Sequence, residues 1–331
     1  MNKVTTLYSQ IIDDSKSKHG VYQRIVRTTH TQIPTVYAIS MPESMRKFAI
    51  LWNEKLSCRI NQFPRWNGLN LDLVDLKPSP EIEGRYLVFE QLPGSASEIF
   101  ELIIDDLASS LDKITDVGSL SGTVLKILKK WQAFFKISPS GVLSDIQIQG
   151  LYGELLFLRY LIKNIGSRAV SCWTGPNAET HDYYLNGNAF EIKTSSKKID
   201  SITISSEMQL DDSEVVNSLY LVYYKLRKSE AEGETLPEII SEIRELLNDS
   251  PLVEEDFLSR LFNLGYIVDY DNKYTTRFIV REKTVYTVED NFPRITRKSL
   301  PCGVSSITYV INLDVCNDFV LSCEEFIGKL T

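Results

Sequence analysis

One short segment, HDYYLNGNAFEIKTS at residues 181–195, constrains the fold of this chain more than any other. Two runs rich in apolar residues flank Asn186-Gly187, the dipeptide that favours the tight turn of a β-hairpin. Side chains along a strand alternate between the two faces of a sheet. Glu191 and Lys193 therefore share one face, and the apolar residues beside them point to the other face, which we expect to be core.

Asp182 adds a second carboxylate to this hairpin. It begins the first strand, where the twist of the hairpin brings it near the Glu191 end of the second strand. Phosphodiester hydrolysis needs a cation, an aligned water and help for the leaving oxygen. Asp182, Glu191 and the backbone carbonyl of Ile192 are hard oxygen ligands suited to Mg²⁺, with Mn²⁺ as a substitute. Lys193 is suited to hold or polarise the water, and its pKa is left open by the sequence.

A helix with an acidic residue precedes the hairpin. Ser144-x-x-Gln147 is a capping-box sequence, and the apolar spacing after it predicts one helix over residues 144–165. Glu154 lies in an apolar part of that helix, so we expect it to have a specific partner. The glycines beside it, Gly150 and Gly153, would let a strand or a substrate approach closely. An E-x-K pair alone is typical of a solvated face, but the order of these features favours catalysis.

D-x8-E-x-K on a hairpin, preceded by the acid in GLYGELLFLRYL, resembles the PD-(D/E)XK nuclease superfamily. More narrowly, these segments with ITISSEMQL are similar to a bacterial family of PD-(D/E)XK members of unknown function. His181 stands where the motif's name has proline. The resemblance implies that Glu154 supports the metal site and that Gln209 is a weaker, auxiliary candidate. It also implies restriction or phage defence, with methyltransferase or ATPase partner proteins.

The predicted fold is α/β, or α+β overall, in two domains. Residues 1–140 form a strand-rich domain with connecting helices, and residues 141–331 form a restriction-endonuclease-like mixed sheet flanked by helices, with a C-terminal extension. Within the second domain we expect strands at AVSCW, SITIS, SLYLVYYKL, YIVDY, TTRFIVR, KTVYTVE and ITYVINL, a helix starting at SEMQL, and two acidic helices at residues 237–247 and 253–264.

Charge is distributed unevenly along the chain, which has a formal net charge of −8. The stretch from residue 15 to residue 66 has nine Lys or Arg against two acids, whereas residues 230–256 have ten acids and one Arg. Two interpretations of the first stretch are equally favoured: a surface that contacts DNA or a partner protein, and a solvated basic face.

The five cysteines are scattered and lack metal-site spacing, which favours a reducing compartment. No apolar stretch approaches the length of a membrane span, so we expect a cytoplasmic protein without membrane contacts. The predicted function is Mg²⁺-dependent endonucleolytic cleavage of DNA, by a homodimer if both strands are cut. The alternatives are a non-catalytic DNA-binding or scaffolding subunit of a defence complex, and a nuclease for RNA or for nicked or single-stranded DNA.

Overall fold

The computed structural model describes residues 3–15, 19–52 and 60–329. The chain divides into two compact units, Met1–Pro139 and Ser140–Thr331. Both units contain helices and strands, and mixed and antiparallel sheets are present, which confirms the predicted fold class. In the part of the chain that is described, no helix is long and apolar enough to cross a membrane.

The first unit is an antiparallel sheet of five strands in the order β1-β2-β3-β5-β4. Helix α1 packs on β2 and α2 on β3. Aromatic side chains that include Tyr8, Tyr37 and Phe48 fill the space between the helices and the sheet. The elements are α1 (Lys3–Asp14), β1 (Gly20–Arg27), β2 (Pro34–Met41), β3 (Met45–Leu51), β4 (Leu69–Ser79), β5 (Ile82–Gln91), α2 (Ser97–Leu111) and α3 (Leu120–Ile137).

Several basic side chains of the first unit form ion pairs within that unit. Arg24 pairs with Asp14, Lys47 with Glu90, and the largely buried Arg46 with Glu101. Other basic residues of the same stretch lie outside the described residues, as does one of the cysteines: Lys16, Lys18, Lys55, Arg59 and Cys58. A contact between this stretch and DNA or a partner stays a prediction.

The second unit is built around a mixed sheet in the order β10-β11-β9-β7-β6, beside a two-stranded sheet of β12 and β8. Strands β7 and β9 run parallel, and the other neighbours are antiparallel. The elements are α4 (Asp145–Ile165), α5 (Ala169–Cys172), β6 (Tyr183–Leu185), β7 (Asn188–Ser195), β8 (Ser201–Ile204), β9 (Leu219–Ser229), β10 (Glu234–Thr235), α6 (Leu236–Leu246), α7 (Pro251–Asn263), β11 (Arg277–Val288), β12 (Tyr309–Asn312) and α8 (Cys323–Gly328).

Helix α4 begins as its sequence predicts. The Ser144 hydroxyl accepts a hydrogen bond from the Gln147 backbone N–H, and the Gln147 side chain accepts one from the Ser144 N–H. These two bonds satisfy amide groups that would otherwise lack partners at the helix N-terminus. Gly166, with a φ of +74°, ends the helix. The predicted helix over residues 144–165 is confirmed.

A glycine lets α4 lie unusually close to β7. A Cβ at Gly153 would come within 2.2 Å of the Thr194 Cγ2 atom, so only glycine fits there. A Cβ at Gly150 would have no atom within 4 Å. The expected close approach of a strand is therefore confirmed at Gly153. At Gly150 no strand comes close, so for a strand the expectation is wrong there.

The hairpin of β6 and β7 has the predicted two-residue turn. Asn186 and Gly187 have φ angles of +51° and +77°, the left-handed conformation that such a turn requires. The pairing continues from the turn to Tyr183 opposite Phe190. Asp182, one residue before β6, therefore comes level with the Glu191 end of β7.

Two strand predictions and one helix prediction in the second unit are wrong, and two other predicted strands are joined into one. Residues 169–172 form a short helix, residues 268–273 form a 3₁₀ helix, and TTRFIVR and KTVYTVE are one continuous strand, β11, with an irregularity in its pairing. SEMQL forms isolated turns instead of starting a helix. The carboxylate of Glu207, in this segment, accepts hydrogen bonds from the backbone N–H groups of Ser306 and Ile307, about 100 residues away.

Candidate active site

The predicted site residues line one cleft of the second unit, with a volume of about 590 Å³. One wall is the face of α4 that carries Gln149 and Glu154. The other wall comes from β7, β8 and the segments around them, with Lys193, Thr203 and Gln209 among its residues. The cleft therefore contains every side chain that the sequence predicted for catalysis.

Asp182 is held in this cleft by hydrogen bonds to its side chain and to its backbone carbonyl group. Its carboxylate Oδ2 accepts a hydrogen bond of 2.7 Å from the backbone N–H of Ile192. Its carbonyl oxygen accepts hydrogen bonds from the N–H groups of Thr174 and Gly175, at 2.8 and 3.1 Å. The hairpin register and the loop before it together hold this carboxylate against β7.

Glu191 and Lys193 lie side by side, as alternation along β7 predicts. The Lys193 Nζ atom is 2.8 Å from Glu191 Oε1 and donates a second hydrogen bond of 3.1 Å to Gln209 Oε1. The Gln209 Oε1 atom also accepts a hydrogen bond of 2.8 Å from the backbone N–H of Ser205, which fixes the orientation of the Gln209 side-chain amide. Gln209 thus contacts the predicted site from a turn rather than from a helix.

Glu154 has the specific partner that its apolar setting predicts. The indole Nε1 of Trp173, which is fully buried, donates a hydrogen bond of 2.7 Å to Glu154 Oε2. The Tyr183 hydroxyl donates to the Glu154 carbonyl oxygen at 2.8 Å. The long helix and the hairpin are thereby joined at the residue that carries this carboxylate.

Glu191 is buried, and Asp182 and Glu154 beside it are half-buried, which disfavours the charged forms of all three. Burial raises the pKa of Glu191 to about 8, with a further increase from the charge of Asp182. Burial and the same neighbour raise the pKa of Glu154 well above its ordinary value. Burial also raises the pKa of Asp182, although Lys193 and the Ile192 N–H oppose the increase. The surroundings of this cluster therefore favour the protonated forms of its carboxyl groups.

Lys193 stays protonated in this setting. Burial alone lowers the pKa of its ammonium group, but the negative charges of Glu191 and Asp182 raise it, and the net direction is upward. The sequence left this balance open. A protonated Lys193 donates hydrogen bonds and supplies positive charge, and it has no lone pair with which to take a proton from water.

Two features leave room for a cation beside these carboxylates. Glu191 Oε2 is buried and has no hydrogen-bond partner among the described residues. A Cβ at Gly175 would lie 3.2 Å from Asp182 Oδ1 and 3.3 Å from Glu154 Oε2, so glycine keeps the space next to those oxygens open. No three His, Cys, Asp or Glu side chains of the described residues form a metal-ligand group. A cation here would rest on two carboxylates and a main-chain oxygen, a donor set that suits Mg²⁺.

Sequence reasoning missed two residues that touch the site. Trp173 was predicted as the last residue of a strand at AVSCW, but it is fully buried and binds Glu154. No sequence pattern marked Gly175 as a site residue, because glycines are common in loops. Both lie in the segment between α4 and β6, where the only usable sign was a run of small and aromatic residues, CWTGPN, before the hairpin.

Comparisons with known proteins give one match. The model of a protein family described as "Putative PD-(D/E)XK family member, (DUF4420)" matches residues 5–314. No curated protein and no solved structure matches the chain significantly. The family match extends across both units of the chain and is wider than the segments on which the sequence resemblance rested.

Proposed function

The chain belongs to this PD-(D/E)XK family, and from that premise we propose that it is a Mg²⁺-dependent nuclease that hydrolyses phosphodiester bonds in DNA. One observation carries the proposal. Three carboxylates and one ammonium group line the same cleft, and the Oε2 atom of Glu191, the buried one of the three, has no hydrogen-bond partner among the described residues. Buried groups in such a state are costly unless a ligand pairs with them.

Asp182, Glu191 and the carbonyl of Ile192 would hold the cation in this proposal. When bound, a divalent cation supplies positive charge to the phosphate and lowers the pKa of water. Hydrogen bonds to Asp182 from Ile192, and to its carbonyl from two loop amides, hold this residue in place before any ligand enters. Preorganisation of this kind reduces the cost of ordering the site during the reaction.

Lys193 would orient the attacking water or stabilise charge on the phosphate as a hydrogen-bond donor. Gln209 supports this role because its oxygen accepts a hydrogen bond from the ammonium group, and Ser205 fixes the amide. Glu154 would support the cation indirectly, through the groups that bind it. Trp173 sets the orientation of the Glu154 carboxylate. These roles differ in kind, so substitutions should separate them.

A nucleic acid is the proposed substrate because the remaining cleft lining is suited to a phosphate backbone, and DNA is proposed because the sequence resemblance implies restriction or phage defence. Hydroxyl side chains occur along β7 and β8, and Lys197 and Lys228 lie on the rim. Hydroxyl, amide and lysine groups make most protein contacts to phosphates. A role in phage defence, a homodimer that cuts both strands, and partner methyltransferases or ATPases complete the proposal.

The test is incubation of the purified chain with supercoiled plasmid, linear duplex, single-stranded DNA and RNA, in Mg²⁺, in Mn²⁺ and in EDTA. Asp182→Ala is compared with Asp200→Ala. Asp200 is also a hydrogen-bonded acid beside the central sheet, where it binds Lys225 and Tyr223, but it does not line the cleft. We expect metal-dependent cleavage of duplex DNA that Asp182→Ala removes and Asp200→Ala retains.

Cleavage that survives Asp182→Ala would contradict the site. A lack of cleavage of every substrate, together with tight binding of DNA, would contradict the nuclease proposal and favour a DNA-binding or scaffolding subunit. Preferential cleavage of RNA would contradict DNA as the substrate and leave the catalytic residues in place.

A further inference from the structure

Two strongly exposed isoleucines lie in segments that form the cleft, Ile146 in its lining and Ile199 between two lining residues, at positions that we call its mouth. Ile146, the second residue of α4, lines the cleft and is 86% exposed, the largest value among the large hydrophobic residues of the described chain. Ile199 is 68% exposed and lies in the loop between β7 and β8, two residues from each of the lining residues Lys197 and Ser201. Ile146 thus belongs to the α4 wall, and Ile199 to the loop that joins two strands of the other wall.

The rest of the lining offers a ligand almost no apolar contact. It consists of acids, lysines, amides, a glycine and six hydroxyl residues, and none of the described side chains that line the cleft is aromatic. Ile192 also lines it, but its side chain is largely buried. Apolar contact with a bound nucleic acid is therefore concentrated at the mouth.

An isolated exposed isoleucine is common on protein surfaces and carries no functional meaning. The position of these two is what sets them apart. Nucleic-acid-binding proteins use apolar side chains against the thymine methyl group, against sugars, or as wedges between base steps. Phosphate contacts do not need such residues. Apolar side chains at the mouth of a polar, phosphate-suited cleft match the part of a nucleotide that phosphate-binding groups leave uncovered.

We propose that Ile146 and Ile199 contact the bases or sugars of DNA nucleotides that flank the cleaved phosphate. This rests on the proposed function. Ile146 lies eight residues before Glu154 on α4, which places it about 12 Å along the helix axis from the carboxylates. With a rise of about 3.4 Å per nucleotide, that distance corresponds to three or four steps along a duplex. Ile146 would therefore contact the substrate three or four nucleotides from the reacting group, without taking part in the chemistry.

The contact has a signature that separates it from a phosphate contact. Loss of an apolar contact weakens binding by a similar factor at every salt concentration. Loss of a lysine that neutralises a phosphate also reduces the dependence of binding on salt, by about one unit of slope per contact. Ile146→Ser and Lys197→Ala should thus differ in slope, even where their affinities at one salt concentration agree.

The experiment measures binding of a fluorescein-labelled DNA duplex of 30 base pairs by anisotropy, in Ca²⁺, over a series of KCl concentrations. Ile146→Ser, Ile199→Ser and the double variant are compared with Leu252→Ser. Leu252 is a matched control because it is 82% exposed, is also the second residue of a helix, α7, and does not line the cleft. Circular dichroism melting checks that all variants are folded.

We expect the double variant to bind about tenfold more weakly with an unchanged salt slope, the loss that follows when roughly 50 Å² of apolar surface stays in water. Leu252→Ser should bind as the unsubstituted chain does. Binding by the double variant within twofold of the unsubstituted chain, or a loss equal to that of Leu252→Ser, overturns the inference and leaves the proposed function standing. A chain that neither binds nor cleaves DNA overturns both.

Discussion

The close approach of α4 to β7 at Gly153 leads to a stability prediction that can be worked out atom by atom. In Gly153→Ala, the new Cβ would lie 2.2 Å from Thr194 Cγ2, whereas the next nearest atoms, Ile192 Cγ2 and Thr194 Cβ, would be 3.7 Å away. Carbon atoms pack at about 3.5 to 4.0 Å. A single methyl group is therefore the whole obstacle, and it must move by more than about 1 Å.

The magnitude follows from two opposing effects. Overpacking of this kind costs about 1 to 3 kcal/mol. Replacing glycine by alanine inside a helix stabilises it by about 0.5 to 1 kcal/mol. We expect Gly153→Ala to lower the free energy of unfolding by about 1 to 2 kcal/mol. Gly150→Ala, on the same helix and with open space around its Cβ, should raise it by about 0.5 to 1 kcal/mol.

Chemical denaturation followed by circular dichroism measures these changes, and Thr194→Ser provides the rescue. Serine keeps the hydroxyl group of Thr194 and removes Cγ2, the atom that the new Cβ would strike. The double variant Gly153→Ala/Thr194→Ser should recover about 2 kcal/mol relative to the sum of the single changes. A Gly153→Ala variant as stable as Gly150→Ala, or a double variant without recovery, would refute the close approach.

Further predictions concern the carboxylates. Because the pKa of Glu191 is raised to about 8, its contribution to the free energy of unfolding is present below about pH 4.5 and is lost as pH rises to 8. The stability of metal-free protein should fall across that window, and Glu191→Gln should reduce the fall, leaving the part that comes from Glu154 and Asp182. Mn²⁺ should raise the melting temperature more at pH 8 than at pH 6. Trp173→Phe should reduce cleavage about tenfold to a hundredfold through Glu154, while Trp131→Phe, which loses an indole hydrogen bond in the first unit, should not. Gly175→Ala should weaken Mn²⁺ binding, measured by calorimetry, without unfolding the chain.

Local signals were enough to predict the hairpin and α4. The Asn186-Gly187 turn sets the register of β6 and β7, and that register alone brings Asp182 to the Glu191 end of the partner strand. The capping box of Ser144 sets the start of α4. In both places, a short-range pattern and the long-range packing favour the same structure, which is why the sequence was sufficient.

The wrong predictions occur where distant contacts decide a short segment. The segment AVSCW was predicted to be a strand, but Ala169 and Val170 are buried in one helical turn that packs against α4 and α7. The segment around Gln209 is held in turns because Glu207 binds amides from a remote part of the chain. The indole that binds Glu154 is likewise supplied by a separate segment. No window of neighbouring residues contains this information.

The most direct measurement of the central claim is the single-turnover rate of duplex DNA cleavage in Mg²⁺ for Lys193→Ala beside Lys225→Ala. Both lysines pair with an acid at the central sheet, Lys193 with Glu191 inside the cleft and Lys225 with Asp200 outside it. We predict that Lys193→Ala slows cleavage by at least about a hundredfold, a loss typical for a group that acts on the reacting atoms. Lys225→Ala should stay within about threefold of the unsubstituted chain. Equal rates for the two variants would contradict the assignment of this cleft as a nuclease active site.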